Sequence, residues 1–403
     1  MARAPIDKLQ ARIRQLPPLP AVINRLMDVV QSNESSANDV SRVLASDQNL
    51  TSKVLRLVNS SFYGMSRKIA TITRAVVILG YQAVRHLALG LAAYEAFKKE
   101  KSGLDRERFW MHSLSCAATA QLVAKQLGCP VPEEAFVSGL LHDIGRMAVS
   151  VACPGEFARL EPAPAPGLIA QEKEILGMSH ARAGSVLLEY WKLPEHLCRV
   201  ARFHHSARLI SAGEEPLLTS VMLADCLSSA ENSDSLEMVD SAMSASVMAA
   251  SGIPAGEYGN ILRDMSSHVA RARAFLQVAE KSPGGEGQPA AEGAHEELAA
   301  VAVVGAAGQR TEWVRSLLEH FGFRAQLLSE SEAAGLTGAS VACAIVDPEG
   351  LAADRLEEMC AALSAAGIGT ALLETGGDQG PLPAGCRWLP LVFSREAIEG
   401  LVR

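Results

Sequence analysis

"PEEAFVSGLLHDIGRMAVSVA" (residues 132–152) is the stretch on which the reading of this chain turns. It reads as helix, an apolar run that closes on a histidine and an aspartate side by side, His142 and Asp143. Both side chains can ligate a metal. Neighbours in a helix rarely share a face, so the dyad either holds a metal or is the remnant of a site that once did.

The same helical spacing extends outward in both directions. Upstream lie "AVINRLMDVVQ" (21–31), with Val22, Leu26, Val29 and Val30 in phase, and "ANDVSRVLASD" (37–47), capped by Asn33 or Ser36. "NLTSKVLRLVNSSFYG" (49–64) stops at Gly64, and "TITRAVVILG" and "YQAVRHLALGLAAYEAF" form a pair broken at Gly80. Downstream, residues 106–128, 169–193, 194–206, 216–230 and 258–281 continue the pattern. The prolines of "PGEFARLEPAPAPG" (154–167) are expected to forbid regular structure between two of these helices. Residues 5–280 thus read as almost continuous helix without strand-like alternation, and "GMSRK" (64–68) reads as a solvated loop.

At 403 residues the chain is too long for one typical domain. Its 48% hydrophobic and 20% charged residues are enough for sizeable cores. A formal charge of −8 lacks the basic footprint of a DNA or RNA binder. Eight scattered cysteines without a CxxC pair fit reduced thiols, and no stretch reads as a signal peptide or membrane span, so the expected location is cytoplasmic.

"SPGGEGQPAAEGAHEE" (282–297) has almost nothing to bury and reads as a flexible linker. Beyond it, apolar strand-like runs such as "LAAVAVVG" (298–305) and "ASVACAIVD" (339–347) alternate with helices such as "RTEWVRSLLEHFG" (310–322). That alternation implies a parallel sheet with helices on both faces. The chain is therefore expected to be multidomain, an all-α bundle over 1–281 (subdomains about 1–100 and 101–281) followed by an α/β domain over 298–403.

The dyad has company. His112, His180, His204, His205 and Asp225 lie on successive helices of the same bundle, so five of the ten histidines join two aspartates. Taken singly, His112 or His180 is an ordinary core residue, and His204-His205 can answer a helix dipole. Asp225 is harder to explain this way. It stands among Met222, Leu223, Ala224 and Leu227, where an unpaired carboxylate is expensive to bury and a cation is needed. Imidazole and carboxylate suit a divalent metal (Fe, Mn or Zn), and bundles build such sites from facing helices. The seven are expected to converge in one cleft, with Asp225 within about 8 Å of the dyad.

The order His112, His142-Asp143, Asp225 resembles the HD superfamily of metal-dependent phosphohydrolases, which are all-helical. With His180, His204 and His205 added, the set is similar to that of HD-GYP cyclic-di-GMP phosphodiesterases, whose sites hold two or three metals. The GYP element and its lysine-rich stretch are absent, and "RMAVSVACPGEFARL" stands in their place. The region as a whole resembles the HDOD (HD-related output) domain. The matching stretches are "LPPLPAVINRLMDVV", "VSRVLASDQNLTSKVLRLVNSSFYG", "IATITRAVVILGYQAVRHLALG", "EEAFVSGLLHDIGR" and "EYWKLPEHLCRVARFHH". That resemblance implies a regulatory module of bacterial signalling, with signalling proteins as partners and room for a cyclic dinucleotide or a homo-oligomer.

The C-terminal part is similar to a flavodoxin-like receiver domain, with Asp347 in the place of the phospho-accepting aspartate and Thr375 in that of the switch hydroxyl. The acidic pair a receiver needs is replaced by Gly305, Ala306 and Ala307, and no lysine follows Lys281. Phosphoryl transfer then lacks its cations, and the domain is expected to be a degenerate receiver. Two functions stay open. One is a non-enzymatic signalling protein whose helical module binds partners or a nucleotide. The other is a metal-dependent phosphodiesterase in which His112, His142, Asp143 and Asp225 hold one metal. In that reading His180, His204 and His205 hold a second or contact phosphate, with Lys53, Arg146 or Arg182 as phosphate-facing cations.

Overall fold

The computed structural model describes residues 6–31, 37–60, 63, 65, 67–209, 215–231, 237–238, 241–280, 300–305, 308–321, 323–333, 336, 341–349, 351–374, 382–383, 386–389, 398 and 401. The expected linker 282–297 and Thr375 lie outside them, as do the candidate caps Asn33 and Ser36.

The first helices are α1 (Ile6–Ile13), α2 (Ala21–Gln31), α3 (Ala37–Ala45), α4 (Gln48–Val58), α5 (Ile72–Leu79) and α6 (Tyr81–Phe97). Helix α4 is capped by Asp47, whose side chain accepts from the Leu50 amide at 3.0 Å. It stops well before Gly64, because the Asn59 amide donates to the carbonyls of Leu55 and Ile69 and accepts from the Ile69 N–H. That exchange satisfies backbone groups the helix end would otherwise leave open.

The second block comprises α7 (Arg106–Gln126), α8 (Pro132–Leu141), α9 (Ile144–Ala152), α10 (Pro154–Phe157), α11 (Ala165–Ile175), α12 (His180–Tyr190), α13 (Glu195–Phe203), α14 (Pro216–Glu231), α15 (Ser241–Ser251) and α16 (Tyr258–Glu280). Four expectations are corrected here. Residues 132–152 form two helices, α8 and α9, with the His-Asp dyad at the break. Residues 169–193 likewise divide, since Gly177 takes φ 89° and Ser179 starts α12 by accepting from the Arg182 amide. The 154–167 segment is not irregular throughout, because Pro154 starts α10, where proline is tolerated. Its Ala163–Pro164 (β1) also pairs in parallel with Glu237–Met238 (β2), so the helical part is not wholly strand-free.

Helix α7 is the axis of this block, packed on α8, α14 and α16, while α12 packs on α9 and α13. Among the described residues no single helix is long and apolar enough to cross a membrane. Helices α5 and α6 pass that test only as a pair bent by 119°, and α6 is largely buried in protein.

The C-terminal part alternates β3 (Ala300–Val304), α17 (Gln309–His320), β4 (Arg324–Leu328), α18 (Glu330–Ala333), β5 (Cys343–Val346), α19 (Ala353–Ala365), β6 (Gly369–Leu373) and β7 (Cys386–Leu389). All pairings are parallel, in the order β4-β3-β5-β6-β7. Residues two apart share a face. Val301, Val303 and Ile345 therefore join the core of the helical part, while Ala302, Val304 and Val346 pack with Cys360 and Leu363 of α19. Helix α17 lies against α16, where fully buried Trp313 meets Tyr258 edge-on with centroids 5.1 Å apart.

Candidate metal centre

Two glycines set the position of the dyad. A Cβ at Gly139 would fall 2.8 Å from the Ala117 Cα on α7, and one at Gly145 would fall 1.9 Å from the His180 carbonyl oxygen on α12. Without side chains there, α8 closes on α7 and α9 on α12. His142 and Asp143 are thereby held between the helix that carries His112 and the helix that begins with His180. His204 is the C-cap of α13, His205 follows it, and Asp225 projects from mid-α14.

All seven expected residues meet. Asp143, His180, His204 and His205 each offer one donor atom within 4.8 Å of the others, and His112, His142 and Asp225 form a second such group. Asp143 faces both. Its Oδ1 lies 3.3 Å from His180 Nε2 and 3.4 Å from His204 Nε2, and its Oδ2 lies 3.7 Å from His142 Nε2. Asp225 Oδ1 lies 3.2 Å from His112 Nε2 and 3.6 Å from His142 Nε2, well inside the expected limit. His180 Nε2 and His205 Nε2 are 2.9 Å apart.

The far sides of the rings fix which nitrogens face inward as lone pairs. His142 Nδ1 donates to the Gly139 carbonyl at 2.7 Å and His204 Nδ1 to the Ala201 carbonyl at 2.9 Å. His180 Nδ1 donates to the Glu172 carboxylate at 2.8 Å. A neutral imidazole that donates through Nδ1 has only a lone pair at Nε2. With those three rings neutral, their lone pairs point at carboxylate oxygens, acceptor against acceptor, and only a cation or a proton on Nε2 relieves the arrangement. Accordingly His142 Nε2, Asp143 Oδ1 and His204 Nε2 are buried with no hydrogen-bond partner among the described residues.

Such a convergence fits a cation. Two donors each ~2.1 Å from one tetrahedral ion stand about 3.4 Å apart, close to the separations above. The donor set of nitrogen and oxygen without thiolate suits zinc, manganese or iron, and second partners such as Glu172 orient and strengthen ligating histidines.

In the absence of an ion a proton takes its place: although burial opposes it, Cys116, Asp143 and Asp225 raise the His142 imidazole well above its ordinary range. Burial disfavours the Asp143 carboxylate, but Arg146, His142 and His180 hold its carboxyl well below the usual range. Burial likewise opposes Asp225, and His112 and His142 outweigh it. The imidazoles of His204 and His205 are pushed down by burial and by neighbouring histidines. The most open of the ring-and-carboxylate pairs is that of His112, whose side chain is 12% exposed, while His142 and His204 are at 0%.

The other expected groups are placed as follows. Arg146 lies 3.2 Å from Asp143 Oδ2 and serves as its counter-ion. Lys53, buried between α4 and α6, pairs with Glu95, and Arg182 is a surface group 3.9 Å from Glu189. Asp347 ends β5 and accepts from Arg310 Nε at 3.0 Å, while Arg310 Nη2 donates to the Glu374 carbonyl at 3.1 Å. Glu172 and Arg310 were not singled out from the sequence.

Residues 16–207 match the family model described as the HDOD domain. A candidate phosphohydrolase from Shewanella amazonensis SB2B is similar in structure, with 29% identity and a TM-score of 0.54 over 68% of this chain and 98% of that one. An HDOD domain protein of unknown function from Geobacter sulfurreducens has 25% identity and the same TM-score and coverages. A curated relative, an uncharacterized protein of Treponema pallidum (strain Nichols), is 24% identical over 218 residues, 53% of this chain but only 42% of the relative's own length.

Proposed function

We propose that this protein, whose residues 16–207 match the HDOD domain model, is a cytoplasmic bacterial signalling regulator whose helical region holds a divalent metal as a structural or sensory element. The observation that carries the reading is the buried meeting of imidazole nitrogens and carboxylate oxygens around Asp143. His142, His204, His180, His205, Asp143, His112 and Asp225 would be the ligands. Enclosure of the inner residues favours a retained ion over a substrate-exchanging one. Signalling proteins, with or without a cyclic dinucleotide, are the partners this reading calls for. The test is metal analysis of protein purified without chelator, beside a cyclic-di-GMP hydrolysis assay. Bound metal without turnover is the expected result, and protein free of metal would overturn it.

A second reading, a metal-dependent phosphohydrolase, draws on the two donor groups that share Asp143 and on the likeness to the Shewanella protein. A bound divalent metal would there supply Lewis acidity and an activated nucleophile. Against it, Arg146 and Lys53 are already paired, and Arg182 is a surface group 3.9 Å from Glu189. Turnover of cyclic di-GMP with added manganese or iron separates the readings.

For the C-terminal part we propose a degenerate receiver domain over 298–403, joined to the helical domain over 1–281 by a linker at 282–297. Numbered from its own first strand, its sheet order is 2-1-3-4-5, that of flavodoxin-like folds. Its acidic end-of-strand group is neutralised by Arg310, a fixed cation where a working receiver would exchange magnesium. Acetyl phosphate with magnesium is expected to leave the chain unlabelled. Stable label that disappears in Asp347→Asn would refute this.

A further inference from the structure

Away from the metal centre, the structure assigns an oxyanion-binding site to Arg85, His86 and His196, where α6 meets α8 and α13. Arg85 and His86 are 5% and 2% exposed. Arg85 Nη2 donates to His86 Nε2 at 2.8 Å. His86 accepts on Nε2 and is kept neutral, since burial and then Arg85 and His196 push its pKa down to about 3. Its one proton is therefore on Nδ1.

The cluster thus holds two unanswered donors, Arg85 Nε and His86 Nδ1, beside the His196 ring, and the unpartnered buried acceptor on the adjoining turn, Gln82 Oε1, carries no charge. Arg85 Nε, His86 Nδ1 and His196 Nε2 are all buried without a hydrogen-bond partner among the described residues. The guanidinium cannot release its proton, and a buried cation is costly unless matched. The carboxylate that the structure pairs with it, Glu134, stands 3.9 Å away, beyond hydrogen-bond reach. A phosphate or carboxylate group, all acceptor and negatively charged, is the chemistry these donors lack. Around it Tyr81 is exposed and Gln82, His196 and Glu134 are half-buried, so an anion would reach the buried donors by displacing one of these side chains.

The placement links this site to the dyad. Glu134 lies in the first turn of the helix capped by His142, and His196 in the first turn of the helix capped by His204. Eight residues of helix separate each pair, about 12 Å. An anion drawn between α6 and these helices therefore bears on two members of the metal cluster at once.

The experiment is calorimetric titration of the full-length chain with inorganic phosphate and, separately, with acetate, at constant ionic strength. At least one of them is expected to saturate a single site, and which one does so distinguishes a phosphorylated from a carboxylic ligand. Arg85→Gln should weaken that binding at least ten-fold. Glu134→Gln, a change at a half-exposed position that does not endanger folding, should tighten it several-fold by removing the competing carboxylate. Metal content measured in each variant keeps the metal centre apart from the result. The proposal is overturned if neither anion saturates, or if affinity is unchanged in Glu134→Gln, or if it survives in a folded Arg85→Gln.

Discussion

His142→Ala combined with Asp143→Ala is expected to abolish metal retention at the proposed centre and to lower the melting temperature by on the order of 10 °C. Asp143 faces Arg146, His142, His180 and His204 at once. Its removal takes from the buried Arg146 cation a carboxylate 3.2 Å away, and breaking a buried pair in this way costs about 3–5 kcal/mol. That is a large share of the ~5–15 kcal/mol that holds a typical domain together. Loss of His142 adds an unanswered Gly139 carbonyl and deprives Asp225 of a neighbour. Phosphodiester hydrolysis should be at background before and after. The check is melting, metal content and cyclic-di-GMP turnover for both proteins, each with added manganese or iron. If the original protein turns substrate over and the variant melts identically but does not, the regulatory reading is wrong and the dyad belongs to an active site.

Gly145→Ala should do comparable damage without altering a ligand. The new methyl would have to occupy space 1.9 Å from the His180 carbonyl oxygen and 2.5 Å from the Gly184 amide nitrogen. Neither atom is the end of a flexible side chain, so α9 and α12 must part and carry Asp143 away from His180. Overpacking ordinarily costs about 1–3 kcal/mol, and a clash with backbone on both helices belongs at or above the top of that range. Metal content should fall with stability. Gly155→Ala is the control, since nothing lies within 4 Å of the added atom, and its effect should stay within about 0.5 kcal/mol. Equal melting of the two variants would show that α9 and α12 do not need their close approach.

Much of this was legible in the residues. The bounds of α2, α14 and α16 follow the apolar period closely, and the parallel alternation after residue 298 foretold the sheet. The seven-residue set could be read because histidine and aspartate are conspicuous on apolar helices. What escaped depends on tertiary contact or on weak local signals. Glu172 belongs to "AQEKE", which looks like a solvated face, and only packing reduces it to 1% exposed beneath His180. Gly177 and Ser179 did spell a stop and a start, but the apolar period around them ran through. The β1–β2 pair includes Pro164, which cannot donate to a ladder and argues against a strand on sequence grounds.

The meeting of Trp313 and Tyr258 bears on how the chain loses its structure. A Gly- and Pro-rich segment between two folded parts usually leaves each to melt by itself, as a bead on a string. Here Val301, Val303, Trp313 and Leu317 belong to the same continuous apolar cluster as Leu9, Leu141 and Leu223. Cooperativity follows shared burial rather than chain connectivity. Heat should thus be taken up in one coupled transition, and enthalpy lost by loosening β3 is withdrawn from the helices around Asp143. The two parts are separate in sequence and one in thermodynamics.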